Sequence, residues 1–318
     1  MKSRWMLVLA FGLAVAPAWA QKGGVVRLIV PFATGGPTDI AARVVAPYLG
    51  ERTGRPWVVE NKVGATGAIG TELVARAAPD GATVLFGTSS SMGSSPAISP
   101  KLPYDVIRDF VPVGMVATTD NVLVVHTTVP AGTLREFIAY AKANPGKIAY
   151  GTSGVGSTYH LGSELFAAQT GTTLTHVPYK GAGPAAQDLV AGQIQMMMDA
   201  FNSALPNIKS GRVKALAIAS PRRHPDLPDV PTLTEQGVKD ADFFQWLAFF
   251  MPANTPKALT DKLNADLAVV LGMPEVKERF SKLGMQAAPG SPQELATILR
   301  GDLTRWTRVV KDANIKPE

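Results

Sequence analysis

A buried strand, a glycine turn and the start of a helix follow one another near the beginning of this chain. Residues 25–30 (Val-Val-Arg-Leu-Ile-Val) are mostly apolar and β-branched, which is typical of a strand inside a parallel sheet. The diglycine Gly35-Gly36 comes next, and the apolar residues of 40–49 recur at helical spacing. Such a turn leaves backbone N–H groups unpaired at a helix N-terminus, where the helix dipole adds positive charge. The segment therefore predicts an anion-binding loop made of backbone.

A second segment of the same kind lies about a hundred residues later. Residues 147–150 predict a strand, 151–156 (Gly-Thr-Ser-Gly-Val-Gly) a flexible turn, and 157–169 a helix with Ser157 or Thr158 near its N-cap. One glycine turn between a strand and a helix is an ordinary connector in α/β proteins. Two of them, each with hydroxyl residues at the helix start, favour an anion site. We expect Gly36 to use the positive φ that glycine reaches freely.

Composition limits the function classes. A chain of 318 residues that is 46% hydrophobic and 18% charged is globular and long enough for two domains. The formal charge is +6, and removal of a leader with two basic residues would leave +4. There is no run of Lys and Arg and no basic-aromatic stripe, so nucleic-acid binding is not expected.

The first twenty residues have the pattern of a cleaved signal peptide. Lys2 and Arg4 precede a short apolar run, and Ala18-Trp19-Ala20 fits a cleavage site, which predicts a mature protein beginning near Gln21. An uncleaved membrane anchor is the alternative, but the run is short for one. The chain contains no cysteine, so a lipoprotein is excluded and a bacterial periplasm is the expected location.

Strand and helix patterns alternate along the rest of the chain, which predicts a two-domain α/β protein with mostly parallel sheets. No low-complexity linker separates the halves, so we expect crossing strands between the domains and a discontinuous first domain. The predicted strands are 25–31, 56–60, 82–87, 112–117, 121–126, 147–150, 173–178, 194–199, 214–219 and 244–251. The predicted helices are 38–51, 68–77, 133–143, 157–169, 183–192, 203–209, 256–272, 274–284 and 291–312.

A series of short motifs, spread in order over the mature chain, resembles one family. They are Arg27–Phe32 with Gly35-Gly36-x-Thr38-Asp39, Val58–Lys62, Gly64, Gly67, Ile69, Gly70, Pro79–Gly81, Leu102–Asp105, Asp109-Phe110, Asn121–Val125, Gly154-x-Gly156-Ser157, His160-Leu161, His176–Gly181, Ala204–Pro206, Leu227–Thr232, Trp246 and Pro252–Pro256. By these motifs the chain resembles the substrate-binding proteins of tripartite tricarboxylate transporters, the Bug-type receptors.

The resemblance implies a Venus-flytrap fold, with two α/β domains, two crossing hinge strands and one ligand in the cleft. The hinge strands would lie near 121–126 and 244–251. Residues 1–20 would then be the signal peptide, 21–120 with 245–318 the first domain, and 121–244 the second domain.

The resemblance also implies how a carboxylated ligand is held, namely by backbone amides of the two glycine loops with help from hydroxyl groups and water. Carried over by motif, one wall of the site would consist of Phe32, Thr34, Gly35, Gly36, Thr38 and Asp39. The other wall would consist of Ser153, Gly154, Ser157, Thr158 and His160, with Asp199 nearby. Thr34, Ala200, Gln245 and Leu247 depart from the pattern, which leaves the ligand open among di- and tricarboxylates, aromatic acids and amino acids.

Charged residues near the two loops have two interpretations each. Arg43 lies one helical turn beyond Asp39, so an ion pair within the helix is the preferred interpretation. Lys180 follows a predicted strand and is equally compatible with the cleft and with a solvated rim. The four histidines lack metal-ligand spacing, so no metal is expected.

Enzymatic alternatives have little support. The hydroxyl run 88–91 follows a strand, but it lacks the closing glycine of a nucleophile elbow, which weighs against a serine hydrolase using Ser89, Ser90 or Ser91. We expect Ser89 to contact ligand instead. A glycine pattern at 181–186 mimics a dinucleotide fingerprint, but Pro184 interrupts it. We expect no cofactor.

The sequence thus predicts a monomeric periplasmic solute-binding protein, not an enzyme, that delivers a small carboxylated molecule to membrane transporter subunits. A sensor that presents its loaded form to a membrane kinase would use the same fold and cleft, and remains an open alternative.

Overall fold

The computed structural model describes residues 24–99, 101–238, 241, 243–312 and 314–315. The predicted signal peptide and the Gln21 cleavage point lie outside the described residues. The strands are β1 (Val26–Val30), β2 (Trp57–Asn61), β3 (Thr83–Thr88), β4 (Phe110–Thr119), β5 (Asn121–His126), β6 (Ala149–Thr152), β7 (Thr175–Pro178), β8 (Met196–Ala200), β9 (Val213–Ile218), β10 (Gln245–Pro252) and β11 (Gln286–Ala287). The helices are α1 (Pro37–Thr53), α2 (Ala68–Ala75), α3 (Ser95–Ile98), α4 (Leu134–Ala143), α5 (Thr158–Thr170), α6 (Ala182–Val190), α7 (Phe201–Lys209), α8 (Lys257–Gly272), α9 (Pro274–Lys282) and α10 (Pro292–Asp312).

The described strands form two sheets. The first has the order β11-β4-β10-β3-β1-β2 and the second the order β7-β6-β8-β5-β9. In the first sheet β1 pairs in parallel with β2 and β3, so the carboxyl ends of these strands and the loops that follow them lie at one edge. In the second sheet β6 pairs in parallel with β7 and β8.

The chain passes between the two sheets twice. The first passage is at Asp120, between β4 and β5, and the second is the segment 219–244, between β9 and β10. Strands β5 and β10 enter their sheets from the opposite sheet and pair antiparallel with both neighbours. The prediction of mostly parallel sheets was therefore wrong. The sheets are mixed because the crossing strands run against the βαβ units.

Apolar helix faces cover both sides of each sheet. Helices α1, α8 and α9 cover one side of the first sheet, and α2 covers the other with the first half of α10. Helices α4 and α5 cover one side of the second sheet, and α6 and α7 the other. Helix α10 contributes Leu295 and Leu299 to the first sheet's core but Trp306 and Val309 to the second's, so it spans both.

Residues 89–98 form a helical segment that the sequence did not predict. A π-helical turn, Ser89–Ser94, runs directly into α3, and the side chain of Thr88 caps it by accepting from the N–H of Ser91. A run of serines has low helix propensity, so this segment depends on its cap and on burial of Met92. Among the described residues, no helix is long and apolar enough to cross a membrane.

Candidate functional site

The loop between β1 and α1 has the predicted geometry with one correction. The left-handed glycine is Gly35, with φ of +80°, whereas Gly36 is the N-cap of α1 in an extended conformation, with φ of −76°. The expectation of positive φ at Gly36 was therefore wrong, because the turn reverses one residue earlier. Gly36 accepts from the N–H of Ile40 at 3.0 Å, and Pro37 has no N–H. Thr38 and Asp39, in the first turn, have no intrahelical acceptor for their N–H groups.

A buried carboxylate fixes this first loop. Asp39 accepts hydrogen bonds from the N–H of Gly35 at 2.9 Å, from Arg43 Nε at 3.0 Å and from Asn61 Nδ2 at 2.9 Å. Asn61 also donates to the carbonyl of Phe32 at 3.0 Å. Burial alone would raise the pKa of Asp39, but the hydrogen bonds from Arg43, Gly35 and Asn61 together outweigh it and lower the pKa. The predicted Arg43–Asp39 pair is confirmed, and Asp39 holds the loop with both oxygens.

The first loop is open to solvent. Thr34 and Gly35 are exposed, and Phe32, Gly36 and Thr38 are half-buried, whereas Asp39 beneath them is buried. The polar groups presented outward are hydroxyl and backbone groups. The charged groups of Asp39 and Arg43 are paired with each other.

The loop between β6 and α5 is built from neutral side chains. Ser157 is the N-cap of α5, which settles the choice that the sequence left open. Its Oγ accepts from the N–H of His160 at 3.2 Å and donates to the carbonyl of Gly154 at 2.7 Å. Gly154 has φ of +126°, which favours glycine. Ser153 and Gly154 are half-buried, whereas Ser157 and Thr158 are buried.

His160 supports this second loop from below. Its Nδ1 accepts from the N–H of Gly156 at 3.2 Å, and its ring stacks on His176 with centroids 4.0 Å apart. His176 Nε2 lies 2.6 Å from Thr152 Oγ1. Burial, and secondarily the neighbouring His176, lower the pKa of His160 to about 3, and burial lowers the pKa of His176 to about 4. Both rings are therefore neutral near pH 7, and His160 positions backbone.

Ser89 and Thr158 meet through a residue that the sequence analysis did not include in the site. Ser89 Oγ donates to Gln245 Oε1 at 2.5 Å, and Gln245 Nε2 donates to Thr158 Oγ1. Ser90 Oγ lies 3.0 Å from Thr158 Oγ1. The signal for Gln245 was its departure from the family pattern beside Trp246.

Asp199 and Lys180, which the sequence analysis placed near the ligand, differ from each other in exposure. Asp199 is the next-to-last residue of β8 and is buried. It accepts from the N–H of Ala200 at 2.8 Å, and burial raises its pKa to about 7. A second contact of its carboxylate is the hydroxyl of Ser203. Lys180 is exposed, and it has no ion-pair partner among the described residues.

In the part of the chain that the structure describes, the arrangement offers hydrogen-bond donors for an anion but no activated nucleophile. Among the described residues the hydroxyls of Ser89, Ser90 and Ser91 bond to Gln245, Thr158 and Thr88, and none bonds to a histidine that could act as base. The described part of the chain also contains no group of three or more His, Asp or Glu side chains placed to hold a metal ion.

A comparison with protein families identifies the family of this chain. The model described as "Tripartite tricarboxylate transporter family receptor" matches residues 41–315. The chain belongs to this receptor family. This receptor is 36% identical to protein BugT of Bordetella pertussis over 292 residues, which are 92% of this chain and 90% of BugT.

Solved structures extend the likeness to the whole fold. The receptor is 33% identical to Rpa4515 of R. palustris, solved with adipate, with a TM-score of 0.84 over 94% of this chain and 100% of the other. It is 34% identical to MatC (Rpa3494) from Rhodopseudomonas palustris, solved with bound malate, with a TM-score of 0.80 over 90% and 99%. The predicted two-domain α/β fold of periplasmic binding proteins is thereby confirmed.

Proposed function

We propose that this receptor captures a small carboxylated molecule in the bacterial periplasm and delivers it to the membrane subunits of a tripartite tricarboxylate-type transporter. Two glycine loops at the carboxyl ends of β1 and β6 support the proposal, because each presents backbone N–H groups at a helix N-terminus. The adipate and malate in the two R. palustris structures are both carboxylates, which agrees with a ligand of this class.

The main support for this proposal is that the first loop offers backbone N–H donors, while its charged side chains, Asp39 and Arg43, are paired with each other. Asp39 and Arg43 form an ion pair that holds the N–H of Gly35 inward, so Thr38 and Asp39 remain as the free amides of α1. A carboxylate at this position would gain charge-assisted hydrogen bonds and the favourable end of the helix dipole.

We further propose that the two sheets are the cores of two domains, 21–120 with 245–318 and 121–244, that close on the ligand by rotating about the crossings at 120 and 219–244. Ligand contacts from both loops require this closure, since one loop belongs to each sheet. Phe32, Thr34, Gly35, Gly36, Thr38 and Asp39 would form one wall. Ser153, Gly154, Ser157, Thr158 and His160 would form the other, with Ser89 between the walls and with Asp199 and Lys180 at the periphery.

A thermal-shift screen tests the ligand class. Adipate, malate, citrate, benzoate and glutamate would each be added, with adipamide as a control that keeps the length of adipate without its carboxylates. A ligand at 100 times its Kd stabilises the native state by about 2.7 kcal/mol, which raises the melting temperature by several degrees. We expect at least one acid to do so and adipamide to have no effect. Equal shifts with adipate and adipamide, or none with any acid, would contradict the proposal.

Location, partner and chemistry have their own tests. Mass spectrometry of the periplasmic fraction should find a chain beginning at Gln21, and an intact chain in membranes would overturn the location.

Cross-linking of the loaded receptor in its host should recover transporter subunits, whereas recovery of a sensor kinase would favour signalling. Incubation with a panel of esters and amides should yield no hydrolysis, since the described serines lack a base.

A further inference from the structure

The side chain of Gln245 joins the two lobes of the molecule, which we define as the two sheets with the helices that cover them. We call Ser89, Ser90, Thr158 and Gln245 the latch cluster. Gln245 Oε1 accepts from Ser89 Oγ at 2.5 Å, and Gln245 Nε2 donates to Thr158 Oγ1. Ser89 follows β3 of the first sheet and Thr158 begins α5 over the second. Because β10 also belongs to the first sheet, the bond to Ser89 anchors the amide within its own lobe and the bond to Thr158 crosses to the other.

The backbone at Gln245 is held in place by the two chain crossings. Gln245 is the first residue of β10, just after the second crossing, and Asn121 is the first residue of β5, just after the first. Asn121 Nδ2 donates to the carbonyl of Phe243 at 3.0 Å, which ties the crossings together. The amide of Gln245 therefore projects from a fixed point of the first lobe toward Thr158, which would move relative to it when the lobes rotate.

Two members of the latch cluster are buried, and the other two, Ser90 and Gln245, are half-buried. Ser89 is 0% exposed and Thr158 is 1% exposed, so water cannot easily replace a lost partner. Ser90 Oγ lies 3.0 Å from Thr158 Oγ1, which gives Thr158 a second partner from the opposite lobe. Breaking these partly buried bonds leaves the buried hydroxyl groups of Ser89 and Thr158 with fewer partners, which costs more than the loss of a fully exposed bond would.

A second hydrogen bond near the latch cluster also joins the two lobes. Ser94 Oγ donates to the carbonyl of Gly156 at 2.8 Å, again from the first lobe to the second. Gly156 also donates its N–H to His160, so this bond connects the segment 89–94 to the second ligand loop. In this structure the two lobes are thus joined by side chains from the same segments that would surround the ligand.

We propose that Gln245 is a positioning residue that holds the lobes closed and slows ligand release, acting through Ser89 and Thr158 and not through contact with the ligand. This inference rests on the proposed solute-binding function, but the closure of the free protein can be measured without any ligand. A receptor whose closed state is less populated binds its ligand more weakly by that fraction.

The test replaces the amide with an apolar side chain of similar size. Gln245→Met keeps most of the volume and removes both hydrogen bonds, and Gln193→Met, at an exposed position, is the matched control. The chain has no cysteine, so Val63→Cys and Gln187→Cys can carry a pair of spin labels, one on each lobe. Inter-lobe distances are measured without ligand and with saturating adipate or malate, and release rates of both acids by stopped flow.

We expect Gln245→Met to shift the free protein toward longer inter-lobe distances and to speed release about ten- to a hundredfold, with the association rate within about twofold. The control variant should match the wild type. Unchanged inter-lobe distances in the free variant would overturn the latch. If association were also slower in that case, the result would indicate that Gln245 contacts the ligand directly. Longer distances with an unchanged release rate would overturn the link to release.

Two outcomes are covered by further measurements. If Gln245→Met does not fold, Thr158→Val removes the partner of the Gln245 amide on the second lobe and should give the same change in distance. If neither adipate nor malate binds the wild type, the ligand class proposed above fails, while the distances of the free proteins still decide whether the latch exists.

Discussion

The two glycine loops occupy matching places in the two sheets but are stabilised by opposite means. The first loop is exposed and fixed by an ionised network, in which Asp39 bonds to Gly35, Arg43 and Asn61. The second loop is largely buried and fixed by neutral groups, in which Ser157 caps α5 and His160 accepts from Gly156. The same backbone device is thus supported by charge where water is near and by hydroxyl and imidazole groups where it is excluded.

The difference follows from the cost of burying charge. An ion pair is tolerated at the first loop because Arg43 remains half exposed, with 50% of its side chain accessible. The second loop lies against the segment 89–94 of the other lobe, where an ionised histidine would lack water, so the neutral form is favoured. The two loops should therefore respond differently to truncation and to pH.

Truncation of Asp39 should have the largest effect on stability. Asp39→Ala leaves the N–H of Gly35 and the side chains of Arg43 and Asn61 without their shared acceptor. We expect a loss of about 2–4 kcal/mol in unfolding free energy, measured by urea denaturation. Glu72→Ala, which breaks the exposed Arg76–Glu72 pair at the same helical spacing, should cost less than about 1 kcal/mol. Equal losses in the two variants would contradict the network.

Acid should weaken the second loop through its histidines. The pKa of His160 is lowered to about 3 and that of His176 to about 4. Between these values and the ordinary histidine pKa, the unfolded chain therefore binds more protons than the folded chain. Their contribution to stability is complete above about pH 6.5 and is lost as the pH falls through the folded values. The melting temperature of the wild type minus that of His160→Asn should therefore fall as the pH drops from 6.5 to 5.

The contribution of Asp199 to folding stability changes with pH in the opposite direction over the same pH range. Burial raises its pKa to about 7, so its folded form holds a proton that the unfolded chain releases, and stability decreases as the pH rises toward 7. The melting temperature of the wild type minus that of Asp199→Asn should fall as the pH rises. A histidine difference that is flat in pH, or one with the sign of Asp199, would show that His160 is not the buried neutral group.

Removal of the N-cap of α5, the helix that follows the second loop, should have the smallest effect on stability. Ser157→Ala removes the acceptor for the N–H of His160 and should cost about 1 kcal/mol. Thr133→Ala removes the corresponding cap of α4, away from the loops, and should cost a similar amount. Only Ser157→Ala should also weaken binding of adipate or malate in calorimetry. Equal affinities in the two variants would remove Ser157 from the site.

The sequence predicted the element order well, because apolar periodicity and glycine turns are local signals. It located both loops and the Arg43–Asp39 pair. It misplaced the positive φ at Gly36, because a diglycine does not indicate which residue reverses the chain. It also missed the helical segment 89–98, where burial overrides low propensity.

The long-range contacts could not be predicted. Gln245 meets Ser89 across 156 positions of sequence, and no local pattern records such a meeting. The same holds for the stack of His160 on His176 and for the continuation of α10 from one core to the other. Polar residues show their role only when the fold supplies their partners.

The central claim is that backbone N–H groups at the start of α1 hold the anion and that a side-chain cation does not. Gly36 has an extended φ that any residue can adopt, and a Cβ there would lie 3.2 Å from the carbonyl of Ala33, a close contact that requires a small adjustment. Gly36→Asp should therefore fold, with stability within about 1 kcal/mol of the wild type, and place its own carboxylate over the free amides.

Calorimetric titration of Gly36→Asp and Lys180→Ala with adipate and malate tests this claim most directly. We expect Gly36→Asp to lose at least about a hundredfold in affinity, since its carboxylate occupies the anion site. We expect Lys180→Ala to lose less than about fivefold, since this lysine is exposed. Retained affinity in a folded Gly36→Asp, together with lost affinity in Lys180→Ala, would contradict the backbone mechanism and replace it with a salt bridge.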